Sequence, residues 1–192
     1  MKLIIGLGNP GKQYAKTRHN AGFQALDFLR EHFGLETFHR DLRFHAEISV
    51  GTVRGKKYLL IKPSTFMNRS GNAVLLLMQY YKLTPNDVII LHDDLDIAPG
   101  TWKTALSSRA AGHNGVQNII DQLGTQDFFR IRLGIGRPHS PSSASDIAPS
   151  ACRSTHNYVL EAFPDAEQQL LESIFPALPA LIEKASSAQS SD

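Results

Sequence analysis

The chain has a single cysteine, no long apolar run and almost no net charge. Cys152 is the only cysteine among 192 residues, so no disulfide can form within the chain. No apolar stretch approaches the roughly 18 residues that a membrane span requires. The formal net charge is +2, which excludes a surface that is basic throughout but allows a local basic patch. These scarcities predict a protein that does not insert into a membrane.

Length and patterning predict one α/β domain. Residues 1–185 form this domain in our interpretation, and the polar segment 186–192 is expected to be a flexible tail. Apolar or alternating runs predict strands at 2–7, 46–50, 58–61, 88–91 and 131–135. Helical periodicity predicts helices at 20–33, 70–81, 116–123 and 165–185. This alternation favours a sheet with helices on both faces.

Three further expectations come from local composition. Residues 140–150 are rich in Ser and Pro and are expected to form a loop. Pro176 and Pro179 are expected to kink or split the last helix. The strand-like run at 2–7 begins immediately after Met1, which leaves no room for a targeting segment and predicts a cytoplasmic location.

A glycine-rich segment at 6–11 matches the dinucleotide-binding pattern G-x-G-x-x-G after a strand. In that pattern a helix must open inside the turn, so that its N-terminus meets a pyrophosphate. Here Pro10 disfavours helical geometry at Asn9, and the helix begins only near Asn20. No strand ends in an acid at the required distance, since Asp27 lies inside the predicted helix. We therefore expect no nicotinamide or flavin cofactor.

One histidine, one aspartate and three amides occupy predicted strand ends and helix starts. Taken singly, His19 could be a surface or capping residue, and Asp93 could simply begin a turn. Together they have the composition of a general base with its orienting partner. Asn9, Asn68 and Asn114 offer neutral donors and acceptors, which suit an uncharged ester and a peptide backbone. The nucleophile pattern G-x-S-x-G is absent from the sequence, which favours direct attack by water.

A metal-dependent hydrolase is an alternative interpretation of the segment after the fourth predicted strand. His92, Asp93, Asp94 and Asp96 are residue types that can ligate a divalent ion. Strand alternation, however, directs the side chains of His92 and Asp93 to opposite faces of the sheet. We therefore predict no metal site, and insensitivity to chelators would dispose of this alternative.

Seven motifs occur in a fixed order that resembles the bacterial-type peptidyl-tRNA hydrolases. They are GLGNPG at 6–11, YxxTRHNxG at 14–22, TFMNxSG at 65–71, HDxLD at 92–96, GHNG at 112–115, RxGIGRP at 132–138 and YVLxxF at 158–163. The resemblance implies a monomeric enzyme without a metal or other cofactor, built on a mixed sheet. It also implies hydrolysis of the ester between a peptide and tRNA, with a role in translation and ribosome rescue.

The resemblance assigns roles to individual residues. His19 would activate water and Asp93 would orient it, without a covalent intermediate. Residues that would bind the peptide and the terminal nucleotide are Asn9, Tyr14, Met67, Asn68, His113 and Asn114. Lys103 and Arg132 match positions linked to tRNA phosphates. Arg109 is added as a third phosphate-binding residue, because the second basic residue expected shortly after Lys103 is missing.

The chain departs from the family pattern on the expected tRNA-binding side. Where relatives often have a glycine-rich stretch, residues 107–112 read SSRAAG, and Gln117 replaces a basic residue. A relative that binds RNA without hydrolysing it is therefore a second functional class to consider. The presence of His19, Asp93 and the three asparagines argues against that class.

Overall fold

The structure, a computed structural model, describes residues 1–138 and 154–188 and contains one seven-stranded sheet. The strand order is β2-β3-β4-β1-β5-β7-β6. The strands are β1 Lys2–Gly6, β2 His39–Asp41, β3 Ala46–Val53, β4 Lys56–Pro63, β5 Val88–Asp94, β6 Trp102–Ala105 and β7 Phe129–Gly134. The loop predicted at 140–150, Cys152 and residues 189–192 lie outside the described residues.

The four central strands are parallel, and the strands toward both edges are antiparallel. β1 pairs in parallel with β4 and β5, and β5 pairs in parallel with β7. The other three strands, β2, β3 and β6, are antiparallel to their neighbours. The α/β class and the mixed sheet are thus confirmed. Because the parallel strands all end at one edge, the loops that follow them meet there, as they do at ligand sites of open α/β sheets.

Helices cover both faces of this sheet. They are α1 Ala21–His32, α2 Ser70–Tyr81, α3 Asn114–Leu123, α4 Thr155–Leu160, α5 Asp165–Ile174 and α6 Leu178–Ala188. One apolar core lies between the sheet and α1, α4, α5 and α6, and a second lies between the sheet and α2 and α3. None of the helices in 1–138 and 154–188 combines the length and the apolar character that a membrane span requires.

Gly22 brings the first turn of α1 directly onto the middle of β5 and onto the residue that follows β1. A Cβ atom at this position would overlap the carbonyl oxygen of Leu91 and the backbone nitrogen of Leu7. Only glycine allows a helix to approach the strands so closely. The residues just before α1 are consequently held beside the end of β5.

The prolines of the last predicted helix divide it into two helices. α5 ends at Ile174, a 3₁₀ turn spans Phe175–Ala177, and α6 begins at Leu178. This division agrees with the prediction from Pro176 and Pro179, since a proline inside a helix removes a hydrogen bond and clashes with the preceding turn.

α6 continues to Ala188, so residues 186–188, which were predicted to belong to a flexible tail, are helical. Ser186 is only 1% exposed, and its hydroxyl donates a hydrogen bond to the carbonyl of Ile182. A serine that bonds to the preceding helical turn can be buried without an unpaired polar group.

Candidate active site

His19 and Asp93 form a buried hydrogen-bonded pair at the carboxyl edge of the sheet. His19 lies in a 3₁₀ turn, Arg18–Asn20, that leads directly into α1. Its Nδ1 is 2.9 and 3.0 Å from the two carboxylate oxygens of Asp93. Because a carboxylate accepts, Nδ1 carries the proton, and Nε2 of the neutral ring retains a lone pair. The pair therefore has the hydrogen bonding of a general base with its orienting acid.

His113 makes a second hydrogen bond to the same carboxylate. Its Nε2 is 2.9 Å from Oδ1 of Asp93. Its Nδ1 accepts hydrogen bonds from the backbone N–H groups of Gly115 and Val116, at 3.2 and 3.3 Å, and so caps α3. Since Nδ1 accepts, Nε2 must donate to Asp93. Two imidazole rings thus fix the carboxylate, a contact that the motif pattern did not predict for His113.

The surroundings of this pair shift the pKa values of both groups. Burial lowers the pKa of His19, but the charge of Asp93 and their hydrogen bond outweigh it, so the pKa lies above the ordinary value. Burial alone would raise the pKa of Asp93, yet the neighbouring His19 and His113 hold it well below its usual range. Asp93 is consequently charged at neutral pH. His19 becomes available as a base only as the pH rises through its raised pKa.

His92 supports the pair from the opposite face of β5. It is 1% exposed, and its Nδ1 donates to the carbonyl oxygen of Asp93 at 2.7 Å. Its ring meets the ring of His113 edge-on, with centroids 4.7 Å apart. Burial holds the pKa of His92 well below its usual range, so the ring is neutral. His92 thus packs behind His113 as an uncharged ring.

The nitrogen and oxygen atoms of His19, Asp93 and His113 lie within 4.8 Å of one another, close enough to suggest a metal site. The donor chemistry favours hydrogen bonds instead. His113 uses its Nδ1 lone pair for the N–H groups of α3, so its Nε2 carries a proton and offers no lone pair to an ion. A metal could bind here only if the His113 ring lost both of its present roles.

The aspartates of the metal alternative are held by arginines. Asp94 Oδ2 accepts from Arg132 Nε at 2.7 Å, and its Oδ1 accepts from the backbone of Asp96 at 2.9 Å. Asp96 in turn pairs with Arg137 at 2.6 Å. These carboxylates are therefore neutralised by separate cations and do not form one ligand set.

A cleft of about 440 Å³ opens over the His19–Asp93 pair. The connection before α3 and its first residue supply His113 and Asn114, and Asn114 is exposed to solvent. The cleft is also lined by α4, a helix that was not predicted. Its residues in the cleft are Thr155, His156 and Val159.

Asn9 lies on the loop after β1 and lines a separate pocket with Asn20, not the cleft that contains His19 and Asp93. Its Oδ1 accepts from the backbone N–H of Met67 at 2.9 Å, which leaves the Nδ2 group as a donor without a partner in the described residues. The side chain of Asn20 bonds to both the backbone N–H and the carbonyl of Asn9, each at 2.9 Å. Asn20 therefore connects the Asn9 loop to the turn that carries His19.

The other predicted substrate residues follow β1 and β4. Tyr14 packs edge-on against Phe66, which is 58% exposed. Asn68 is exposed, whereas Met67 is buried and packs against Gly115, where a Cβ atom would overlap its Sδ. Phe66 was not singled out from the sequence, although its exposed ring packs against Tyr14 and it directly precedes Met67 in the chain.

The predicted tRNA-binding residues differ in whether their side chains are already paired with another residue. Lys103 and Arg132 are opposite each other in the β6–β7 register. Lys103 is exposed and has no ion pair within the described part of the chain. Arg132 is already bound to Asp94, whose side chain is only 8% exposed. Arg109 is exposed, and its carbonyl accepts from Arg130 at 3.1 Å. Lys103 and Arg109 thus have side chains without an ion pair among the described residues, whereas Arg132 is already paired.

The backbone of the loop before His113 has positive φ angles, which favour glycine. Ser107 and Ala111 both have φ of 50°, and Gly112 has φ of 84°. Residues with side chains adopt this left-handed region rarely and at some cost. The substitution of SSRAAG for a glycine-rich stretch therefore strains the backbone of this loop at Ser107 and Ala111.

The mixed sheet and the cleft at its carboxyl edge define an α/β enzyme. The Peptidyl-tRNA hydrolase family model matches residues 3–191, so the chain belongs to that family. A relative from Brevibacillus brevis, named peptidyl-tRNA hydrolase, is 44% identical over 168 residues, which cover 88% of this chain and 82% of the relative. One from Exiguobacterium, with the same name, is 44% identical over 177 residues, or 92% and 91% of the two chains.

Solved structures support the same assignment. A crystal structure of peptidyl-tRNA hydrolase from Acinetobacter baumannii superimposes with a TM-score of 0.80 at 32% identity. The match covers 100% of this chain and 95% of that one. The resemblance drawn from the seven motifs is thus confirmed at the level of family and fold.

Proposed function

We propose that this enzyme hydrolyses the ester bond between a peptide and tRNA and releases both. The observation that carries the proposal is the bond from His19 Nδ1 to the charged, buried Asp93 inside the cleft. A neutral imidazole held in this tautomer presents Nε2 as a base for water. The family membership and the names of the relatives identify the matching substrate class.

The proposed reaction needs no covalent enzyme intermediate. Water adds its oxygen to the ester carbonyl carbon while Nε2 of His19 takes a proton from that water. The resulting imidazolium returns the proton to the ribose oxygen as the carbon–oxygen bond breaks. Asp93 stays charged throughout and stabilises the imidazolium. The products are a peptide with a free carboxyl group and a tRNA with a free hydroxyl.

The asparagines bind the peptide next to the ester in this proposal. Asn9 has only its Nδ2 group free, so it donates to a substrate carbonyl. Asn68 and Asn114 are exposed and can both donate and accept. Asn114 lines the same cleft as His19, which supports a role as donor to the developing oxyanion.

We expect the enzyme to cleave N-acetyl-aminoacyl-tRNA and to spare free aminoacyl-tRNA. A free α-ammonium would be a poorly matched cation among neutral amides, whereas an N-blocked group pairs with them. The release of tRNA would be followed for both substrates with the same amino acid. Spontaneous deacylation without enzyme is the control, and equal enzymatic rates on both substrates would refute the role of the asparagines.

A chelator provides a second, independent arm of that experiment. The hydrogen-bonded state of His113 predicts that hydrolysis continues unchanged after treatment with a strong divalent chelator. Loss of activity that returns on addition of a divalent ion would favour the metal alternative.

Lys103→Ala should weaken tRNA binding and flatten its dependence on salt. Each true phosphate contact contributes about 0.7–0.9 to the slope of log affinity against log salt. Affinity for deacylated tRNA would be measured over a salt series. Lys57→Ala is the matched control, because Lys57 is an exposed lysine on β4, away from β6. An unchanged slope would remove Lys103 from the binding surface.

Arg132→Ala is a less suitable variant for the same question. It would leave the nearly buried carboxylate of Asp94 without its cation, and an unpaired buried charge destabilises the fold. Lys103 can be tested without this complication.

A further inference from the structure

Arg18, the residue before His19, is an almost fully buried cation outside the cleft. It is 3% exposed, although arginine is rarely buried without a partner. It begins the 3₁₀ turn that carries His19. The other end of this turn, Asn20, is fixed to the Asn9 loop. The conformation of His19 therefore depends on what fixes Arg18.

The guanidinium of Arg18 is bound by residues near the other end of the chain. Nε and Nη2 lie 3.0 and 2.9 Å from Glu167 Oε2, and Nη1 donates to the carbonyl of Tyr158 at 3.3 Å. Nη1 is also 3.5 Å from Glu161 Oε2. The guanidinium carbon stands 4.0 Å from the centre of the Tyr158 ring. These contacts use the planar, forked geometry that distinguishes arginine from lysine.

The backbone around Arg18 is joined to the same segment. The N–H of Arg18 donates to the carbonyl of Glu161 at 3.0 Å, and Thr17 forms an isolated antiparallel bridge with Ala162. This segment directly follows α4, whose residues His156 and Val159 line the cleft. One arginine thus connects the turn of His19 to the segment that follows α4, a helix that lines the cleft.

We infer that Arg18 is a positioning residue that fixes His19 against Asp93 and fixes α4 as the wall of the cleft. This role rests on the proposed function of the His19–Asp93 pair. Arg18 does not line the cleft, so it acts through its neighbours and not on the substrate. A small displacement of a catalytic group is enough to slow a reaction substantially.

The test compares Arg18→Met, Arg18→Lys and Glu167→Gln with wild type. Arg54→Met is the matched control, because Arg54 forms an exposed ion pair with Glu183. Three quantities are measured for each variant: the midpoint of thermal unfolding, kcat and KM on N-acetyl-aminoacyl-tRNA, and the pKa of His19 from NMR titration of its ring protons. Glu167 is 30% exposed, so water can solvate it when Arg18 is replaced.

Arg18→Met should lower kcat roughly 10- to 100-fold with little change in KM. The pKa of His19 should move down toward its ordinary value of about 6.5, since the raising effect of Asp93 requires close contact. Other charged or titratable groups around the cleft stay in place, namely Asp94, Asp96, His113, Arg137 and His156. The kcat of Arg18→Lys should be nearly as low as that of Arg18→Met. The kcat of Glu167→Gln should lie between those of Arg18→Met and wild type.

A purely structural role predicts a different result. The unfolding midpoint would then fall while the pKa of His19 and the kcat of the folded enzyme matched wild type, and this outcome would overturn the proposal. If Arg18→Met does not fold, Arg18→Lys and Glu167→Gln decide by the same three measurements. The NMR titration of His19 does not require turnover. If the wild-type protein were inactive on peptidyl-tRNA, that result would contradict the proposed function alone, because the pKa of His19 in the variants would still test the role of Arg18.

Discussion

His19→Ala is expected to lower kcat by roughly 10²–10⁴ while tRNA affinity stays close to wild type. Within the cleft, His19 is the histidine whose ring is held by the carboxylate of Asp93 through Nδ1 and keeps a lone pair at Nε2. His113 cannot replace it, because both of its ring nitrogens are engaged. Alanine removes the base but none of the exposed cations that would contact phosphates.

Single-turnover cleavage of N-acetyl-aminoacyl-tRNA and equilibrium binding of deacylated tRNA would separate the two effects. His39→Ala is the appropriate control, since His39 is an exposed histidine on the short strand β2. Cleavage at a near-normal rate by His19→Ala would eliminate the mechanism. A parallel loss of tRNA affinity would show that the residue binds substrate as well.

Asp93→Asn should both reduce the maximal rate and move the pH profile. The N–H groups of His19 and His113 both donate to Oδ1, and the His19 N–H also lies 3.0 Å from Oδ2, so in either orientation an asparagine amide would place its NH₂ group against the His19 N–H. A misoriented base should reduce the rate by about 10²-fold or more.

The direction in which the midpoint of the pH profile moves follows from the interactions that set the pKa of His19. In wild type the pKa is above its ordinary value, so kcat/KM should rise with pH through a midpoint above about 6.5. Without the Asp93 charge, burial remains and lowers the pKa, so the midpoint moves to lower pH. The profile would be measured from about pH 5 to 9, with chemistry shown to limit the rate.

Asp127→Asn serves as control for that profile, because Asp127 is exposed and does not line the cleft. A midpoint that stays in place in Asp93→Asn, or moves to higher pH, would contradict the electrostatic role of Asp93.

The central parallel strands and the longer helices could be predicted because their patterns reflect burial. β1 and β5 are buried along their whole lengths and appear in the sequence as apolar runs. β2 and β6 have three and four residues, mostly polar and at least partly exposed. Such strands form because a neighbouring strand offers its backbone, and this is a tertiary effect. α4 has six residues, too few for a helical period to show.

That His19 and Asp93 come together could be predicted, because side chains at strand ends meet at one edge of an α/β sheet. The contacts that hold His19 in place could not be predicted from the sequence. Arg18 and Glu167 are 149 positions apart, and no local pattern pairs an arginine with one particular glutamate over that distance. The hydrogen bonds of Asn20 to Asn9 were hidden for the same reason, since Asn20 was interpreted only as a helix start.

The order of synthesis gives the long-range anchoring of Arg18 a further meaning. A protein that cleaves peptidyl-tRNA is itself attached to tRNA while a ribosome makes it. His19 is translated early, but Asp93, His113 and finally Glu167 follow much later. Until those residues have emerged, His19 lacks its hydrogen-bond partner Asp93 and Arg18 lacks its ion-pair partner Glu167. The growing chain is therefore expected to remain inactive toward its own tRNA, because the site is assembled from both ends of the sequence.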